Sequence, residues 1–349
     1  MMHLFARSRN ASHSATSAFR RFFVHARYAP SAASQPTFAA MVAAAPVSAL
    51  AFLHMNAGSH QPAWSLPRPA RCLASAGAPR QLGCLKVDFC GKPEAFTPVY
   101  YDAPAAATAS VNAGDYKLYV GGGSINLAFQ RMLGFDSKHN KYQVLHSALC
   151  EAALAAPGCL QRLDDVKHPD ASKENATELG LTGSFARMPA SHQGDDHVGI
   201  AILDVFSARR RPLSDQNVAM LYVVGPKGQG AGYSAGAGPV VSNAKEFLES
   251  VKEMASNALL AVSEYNTLAA AVSVEEEKLP QIEVVQFCLV SGGVYKHQEA
   301  SKIDVAAATV AGLQAAAAVA KKGTVPLVRF AYDAGAFEDA VERVLASNL

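Results

Sequence analysis

Acid is missing from the first part of this sequence: no Asp or Glu occurs before Asp88. Cysteines are few, and none of the six (Cys72, Cys84, Cys90, Cys150, Cys159 and Cys288) has the two-residue spacing of a zinc knuckle or a redox pair. That pattern argues against a disulfide scaffold and fits a reducing compartment. Cys288 lies inside an apolar run and reads as a buried small hydrophobe. No Walker-type phosphate loop occurs. The stretch 38–55 is uncharged, yet it is alanine-rich and interrupted by Pro46. A spanning helix needs roughly 20 predominantly apolar residues, so no integral membrane span is expected. The formal net charge of +2 does not argue for nucleic-acid binding.

What is present divides in two. Residues 1–82 are rich in Ala, Ser, Pro and Arg and show no sustained period. Their cations include Arg7, Arg9, Arg20, Arg21 and Arg27. An acid-free, Arg-rich N-terminus has the composition of a mitochondrial transit peptide, because cations are drawn toward a negative matrix potential. Phe5, Phe19, Phe22, Phe23 and Val24 offer the apolar side of a short amphipathic helix. The expectation is a targeting leader with a low-complexity linker over 1–82 and a mitochondrial matrix location. The other reading of this segment is a basic tail in a different compartment.

From Cys84 onward apolar runs alternate with helical patterns. Residues 198–206, 219–224, 284–290 and 327–331 are short apolar runs that predict buried strands. Helices are predicted over 125–133, 144–155, from Asn243 onward, over 303–320, and finally with Phe337, Val341, Val344 and Leu345 on the inner face. Lys321, Lys322 and Gly323 supply the cations and glycine expected at a helix end. Strands alternating with helices predict an α/β fold, a mixed and largely parallel sheet between helical layers. Ligands of such sheets sit at the carboxyl ends of the strands. Two stretches, near 160–197 and 228–240, read as insertions: the first a polar surface excursion, the second a slack loop or a mobile lid.

Two glycine loops stand at strand-to-helix junctions. Gly121, Gly122, Gly123 and Ser124 lead into a helix, and Ser291, Gly292, Gly293, Val294 and Tyr295 follow a strand. Glycines let backbone N–H groups approach a phosphate, and a helix N-terminus adds a favourable dipole. Four pieces then occur in a telling order: Val111-Asn112-Ala113-Gly114-Asp115, the first glycine loop through Asn126 to Gly134, Val223-Val224-Gly225-Pro226, and Val290-Ser291-Gly292-Gly293-Val294-Tyr295. In that order residues 84–349 resemble the macro domain family, as a divergent member.

The resemblance implies a three-layer macro-like fold and a pocket for ADP-ribose or an ADP-ribosylated protein, with no cofactor and no metal. The glycine loops would hold the diphosphate and second ribose, Tyr295 would pack on the sugar–phosphate end, and Asn112 would lie near the distal ribose. Departures from the family pattern are as informative. Asp115 stands where the family has Asn, Ser124 replaces a glycine, and Asn126 replaces the Asp of hydrolytic members. An amide has no useful pKa for general-base work. The expectation is therefore a binding module, with ADP-ribosyl hydrolysis using Asp115 as the catalytic alternative. A further alternative is a structural subunit with a vestigial pocket in a mitochondrial ribonucleoprotein assembly. Three smaller features read first as solvated surface: the group His192, Asp195, Asp196 and His197, the run Arg209, Arg210 and Arg211, and the run Glu275, Glu276 and Glu277.

Overall fold

A computed structural model describes residues 78–90, 107–118, 124–133, 140–167, 173–206, 217–231, 239–272 and 279–347. All of them belong to one compact unit, Trp64–Leu349. The N-terminal arginines, Gly121–Gly123 and the Arg209–Arg211 and Glu275–Glu277 runs lie outside the described residues.

The strands are β1 (Arg80–Leu82), β2 (Leu85–Phe89), β3 (Thr108–Gly114), β4 (Leu160–Arg162), β5 (Leu181–Arg187), β6 (Ala201–Phe206), β7 (Asn217–Val224), β8 (Lys227–Gly228), β9 (Val240–Val241), β10 (Val284–Phe287) and β11 (Leu327–Phe330). The helices are α1 (Ser124–Leu133), α2 (Asn140–Ala155), α3 (Lys173–Glu178), α4 (Ala244–Ala271), α5 (Lys302–Val319) and α6 (Ala334–Ser347). The main sheet runs in the order β1-β2-β11-β10-β3-β7-β6-β5-β4, and β8 pairs with β9 beside it.

Strands β2, β11, β10, β3 and β7 are mutually parallel, while β1 and the β6–β5–β4 flank are antiparallel. The parallel centre follows from helical crossovers, since neighbouring parallel strands need a long connection. The sheet is thus mixed, with helices on both faces, as the alternation of patterns predicts. Strand 284–287 ends earlier than its apolar run, because Cys288, Leu289 and Val290 turn out of the ladder into a loop and stay buried there.

Period-two alternation divides the interior. On β3, Ala109 and Val111 enter the core under α4, α5 and α6, whereas Ser110 and Asn112 face the side of α1 and α2. Helix α4 buries Phe247, Val251, Met254, Ala258, Val262 and Tyr265 at helical spacing. Its N-terminus is capped by Asn243, whose side chain accepts from the Lys245 and Glu246 amides. Helix α5 is long and apolar enough to cross a membrane by composition, but here it is a core helix that buries Val305, Val310 and Leu313. The opposite core gathers Phe129 and Leu133 of α1 and Tyr142, Leu145 and Leu149 of α2 against Ile202, Met220 and Tyr222.

The stretch near 160–197, expected as a surface excursion, contains β4, α3 and β5. Phe185 and Ala186 of β5 are buried, so this part of the stretch extends the sheet rather than leaving it. Strand β5 is covered on both faces, with Phe185 in the core under α4 and Ala186 in the core beside α2. Strand β1 lies at the end of the stretch expected as linker and pairs with β2. Cys90 is disulfide-bonded to a partner outside the described residues, which departs from the reading of the cysteines as fitting a reducing compartment. Cys84, Cys150, Cys159 and Cys288 are free thiols.

Candidate functional site

The carboxyl ends of the parallel strands converge as the strand order requires, with β3 between β10 and β7. A cleft opens there. Gly114, Asp115 and Tyr116 come from the end of β3, and Gly225 and Lys227 from the end of β7 and β8. Tyr295 comes from the loop after β10. The cleft is open to solvent, and its inner space of about 20 Å³ is near the size that holds one water. That inner space admits a sugar hydroxyl or a phosphate oxygen.

Two bare glycines bring these loops together. A side chain on Gly114 would meet the Tyr222 ring at 2.0 Å, and that ring's hydroxyl donates to the Asp115 carbonyl at 2.7 Å. A side chain on Gly225 would meet the Ser291 hydroxyl at 2.2 Å. That hydroxyl donates to the Pro226 carbonyl at 2.8 Å and ties the loop after β10 to the end of β7. The Gly228 amide adds a bond to the Tyr295 carbonyl at 2.8 Å, which fixes Tyr295 beside Lys227. Ser291 pays for its position with a left-handed backbone (φ 59), a conformation costing about 1–2 kcal/mol for a residue other than glycine.

The expected site residues fall into three groups. Asp115 and Tyr295 line the cleft itself. Ser291 and Gly292 are buried in the loop that builds its wall, while Gly293 and Val294 are exposed at the rim. Asn112 and Asn126 lie beneath, both buried, with the Asn112 amide donating to Asn126 Oδ1 at 2.9 Å. Ser124 opens α1, and Gly121, Gly122 and Gly123 lie outside the described residues. Asp115 is oriented by its own turn, its Oδ1 accepting from the Lys117 amide at 2.8 Å.

Lys227 is the residue that sequence reasoning passed over. The signal was present, a lysine directly after the Val-Val-Gly-Pro strand end, but a single surface-type residue after a turn attracts no attention. The structure buries it to 8% exposure. Gly232-Tyr233-Ser234-Ala235-Gly236 also has the Gly-x-Ser-x-Gly spelling of a nucleophile elbow. It lies outside the described residues, and the next helix, α4, begins only at Ala244, beyond β9, whereas an elbow leads directly into its helix.

A second polar group lies between the sheet and α2. Asp204 Oδ2 accepts from the Tyr142 hydroxyl and meets His146 Nε2 at 2.8 Å, while its Oδ1 accepts from the Ser184 hydroxyl. All four are buried. Ser184 and His146 both meet Asp204 without meeting each other, so there is no nucleophile–base–orienter relay. The buried thiols are equally inert: burial pushes Cys288 up to about 12 and raises Cys150 as well, which keeps both protonated. The group near His192 is tied up by its own loop and by the turn after β3. His192 meets the Gly194 carbonyl, His197 meets the Tyr116 carbonyl, and Asp196 accepts from the Val198 amide. Among the described residues no group of three or more His, Cys, Asp or Glu side chains could hold a metal ion.

No protein-family model matches the chain. Two curated relatives, both DNA/RNA-binding protein ALBA4, come from Plasmodium yoelii yoelii and Plasmodium falciparum. They are 33% identical over 258 residues and 35% identical over 269 residues, in each case 73% of this chain. The chain spans 64% of the length of each. Mitochondrial association factor 1 form b0 of Toxoplasma gondii is 26% identical over 195 residues, 49% of this chain and 43% of that protein.

Similar solved structures are macrodomains. That of Oceanobacillus iheyensis with ADP is 12% identical, with 77% of this chain and 97% of that chain covered and a TM-score of 0.37. That of Trypanosoma brucei in complex with ADP-ribose is 13% identical, with 80% and 78% covered and a TM-score of 0.37. At these scores the likeness decides nothing about a ligand.

Proposed function

We propose that this chain is a module that binds ADP-ribose or a related phosphate-bearing nucleotide, free or carried on a protein, and does not hydrolyse it. The observation that carries this reading is the meeting of three strand-end loops in one cleft. The ends of β3 and β7 and the loop after β10 are held there by the Ser291–Pro226 and Gly228–Tyr295 bonds. Strand-end loops are where ligands of open α/β sheets sit. Against turnover stands Asn126, a buried amide engaged with Asn112 and unable to activate water. Asp115 remains the candidate base only under the hydrolytic alternative.

The test is the thermal midpoint of the full chain with and without ADP-ribose. Ligand at 1,000 times its dissociation constant stabilises by about 4 kcal/mol, a shift well above noise. Gly293→Glu serves as the control. A side chain at Gly293 meets nothing within 4 Å, so the variant folds, while its carboxylate repels a bound phosphate. Wild-type stabilisation that disappears in this variant supports the reading. No shift at millimolar ligand, or equal shifts in both proteins, sinks it.

A second reading is favoured by the relatives' names. The chain would then be a structural subunit of a nucleic-acid-containing or mitochondrial assembly, its cleft vestigial. The arginine-rich, acid-free N-terminus supports a mitochondrial address, with the matrix as the proposed destination. Sedimentation of the chain with a large complex that survives ADP-ribose addition would favour this reading, and recovery as a free monomer would count against it.

A further inference from the structure

We propose that His297 is a pH-sensitive latch on the wall of the cleft, holding two sides of that wall together while its ring is uncharged and releasing them when the ring gains a proton. The consequence for binding rests on the nucleotide reading; the latch itself does not. Three segments make the wall: the loop after β10 carries Tyr295, β8 carries Lys227, and Pro239 leads into β9. Main-chain bonds tie each outer segment to the one between them. The Gly228 amide donates to the Tyr295 carbonyl, the Gln298 amide to the Gln229 carbonyl, and the Gln229 amide to the Val241 carbonyl. The His297 ring spans from one outer segment to the other. Its Nε2 meets the Ser242 carbonyl, just past β9, at 3.1 Å, and its Nδ1 accepts from the Glu299 amide at 3.2 Å. The ring is buried against Phe247 of α4.

A main-chain N–H only donates and a carbonyl only accepts, so these two bonds fix one form of the ring, with its proton on Nε2 and a lone pair on Nδ1. A second proton would set N–H against N–H in a buried place and leave both donors unsatisfied. The other described histidines are free of this constraint. His192 and His197 each meet a carbonyl, and His146 meets the Asp204 carboxylate, bonds that a doubly protonated ring keeps. The charged side chains on the segments around the ring are Lys227 of β8, Lys245 and Glu246 in the first turn of α4, Lys296 and Glu299 beside the ring, and Asp304 of α5 past Lys296. Among the described residues no carboxylate bonds to the ring, so no ion pair anchors its charged form. Imidazole is the side chain that changes charge between about pH 5 and 8. In acid the ring must turn away from the Glu299 amide. The bond to Ser242 goes with it, which frees the loop after β10 from the end of β9.

The experiment is amide hydrogen exchange of the full chain, without ligand, from about pH 8 down to about pH 5, corrected at each pH for the intrinsic rate of an unstructured peptide. In the wild type, protection of the Gly228, Gln298 and Glu299 amides is expected to fall by roughly tenfold or more, a local opening, while Met254 in the core of α4 stays protected. His297→Phe keeps a ring beside Phe247 and neither bond. Protection of the same amides in this variant is expected to be low at every pH.

Protection that holds across the range in the wild type overturns the inference. So does a loss in His297→Phe as steep as that of the wild type, since another group would then be titrating. Should His297→Phe fail to fold, the wild type decides, by its exchange and by the nitrogen chemical shifts of the ring: a proton on Nδ1 instead of Nε2 at neutral pH overturns the inference. Titration with ADP-ribose at the two ends of the range separates the latch from the nucleotide reading. Affinity that falls in acid in the wild type, and not in His297→Phe, supports the latch as a control on the cleft. Constant affinity while protection falls overturns that control and leaves the nucleotide reading standing. Protection that falls with no binding at either pH supports the latch and sinks the nucleotide reading.

Discussion

On one face of the sheet, α4 buries two asparagines that bond to main-chain groups, Asn257 also accepting from the Arg187 guanidinium. Asn257 donates to the Arg187 and Gly199 carbonyls, and Asn266 donates to the Ile282 and Thr324 carbonyls while accepting from the Ile282 amide. On the other face, Asp204 collects a hydroxyl from Tyr142, another from Ser184 and an imidazole nitrogen from His146. The first arrangement clamps loops with neutral amides whose bonds are complete. The second packs a carboxylate among side chains and leaves atoms over. Among the described residues, the buried unpartnered atoms Asn112 Oδ1, His146 Nδ1 and Gln286 Oε1 all belong to the α1 and α2 side of the sheet. The same asymmetry appears in the backbone. Among the described residues, the non-glycine residues with positive φ, Leu118, Ser291, Tyr332 and Asp333, all follow the carboxyl ends of parallel strands. Stored strain of this kind persists where surrounding contacts over-determine it, and it gathers at binding sites. One face and the opposite strand ends are built for stability; the other face and the cleft edge carry what stability alone does not require.

The comparison breaks most visibly at Asp204. Asp204→Ala leaves His146, Tyr142 and Ser184 without their shared acceptor inside the core. Breaking a buried polar pair by removing one partner costs about 3–5 kcal/mol, and a loss of that size is expected in urea unfolding. Asp204→Leu combined with His146→Leu should recover part of it, because removing both partners leaves fewer polar atoms buried and unsatisfied. If the double variant is as unstable as Asp204→Ala, the network is not the source of the cost.

The apolar face should respond more mildly and with no such recovery. Val251 of α4 is fully buried in the core under α4, α5 and α6. Val251→Ala removes two methyl groups at about 0.8 kcal/mol each and leaves a small cavity, so a loss of about 2 kcal/mol is expected. The same urea midpoint measures it. A loss above that of Asp204→Ala would invert the contrast between the faces.

Legibility followed the same division. The apolar face announces itself through period: Phe247, Val251 and Met254 mark α4, and runs 219–224 and 327–331 mark β7 and β11 nearly to the residue. Tyr295 drew attention through a glycine loop at a strand end and Asp115 only through the macro domain resemblance; both line the cleft. The Asp204 network had no signal, since Tyr142, His146, Ser184 and Asp204 are scattered along the chain and only the β5–β6–β7 register and α2 unite them. Flank β5 was obscured for a related reason. The stretch around it is polar, and composition cannot tell an outer strand of a sheet from a loop. Lys227 was obscured because lysine ordinarily marks surface, and its burial depends on the loop after β10 folding over β8.

The smallest expected effect lies at the solvent edge of the apolar face. Ser301 caps α5, its hydroxyl accepting from the Asp304 amide while the Asp304 carboxylate accepts from the Ser301 amide and hydroxyl. The Ser301 hydroxyl and amide hold the Asp304 carboxyl below its ordinary range. A carboxylate whose folded pKa is lowered contributes stability that is present above its unfolded pKa and lost as pH falls through its folded pKa. Ser301→Ala should therefore cost about 1 kcal/mol at neutral pH. That difference should narrow in acid, below the ordinary aspartate range of about 3.9, as the wild type's carboxylate is itself protonated. Because Asp304 is partly exposed, the pH-dependent part is expected to be a fraction of the whole. Urea midpoints of the two proteins at neutral and acid pH measure both. A gap that stays constant across that range would mean the hydroxyl acts on the helix amides alone, and the carboxylate's share of the capping box would be negligible.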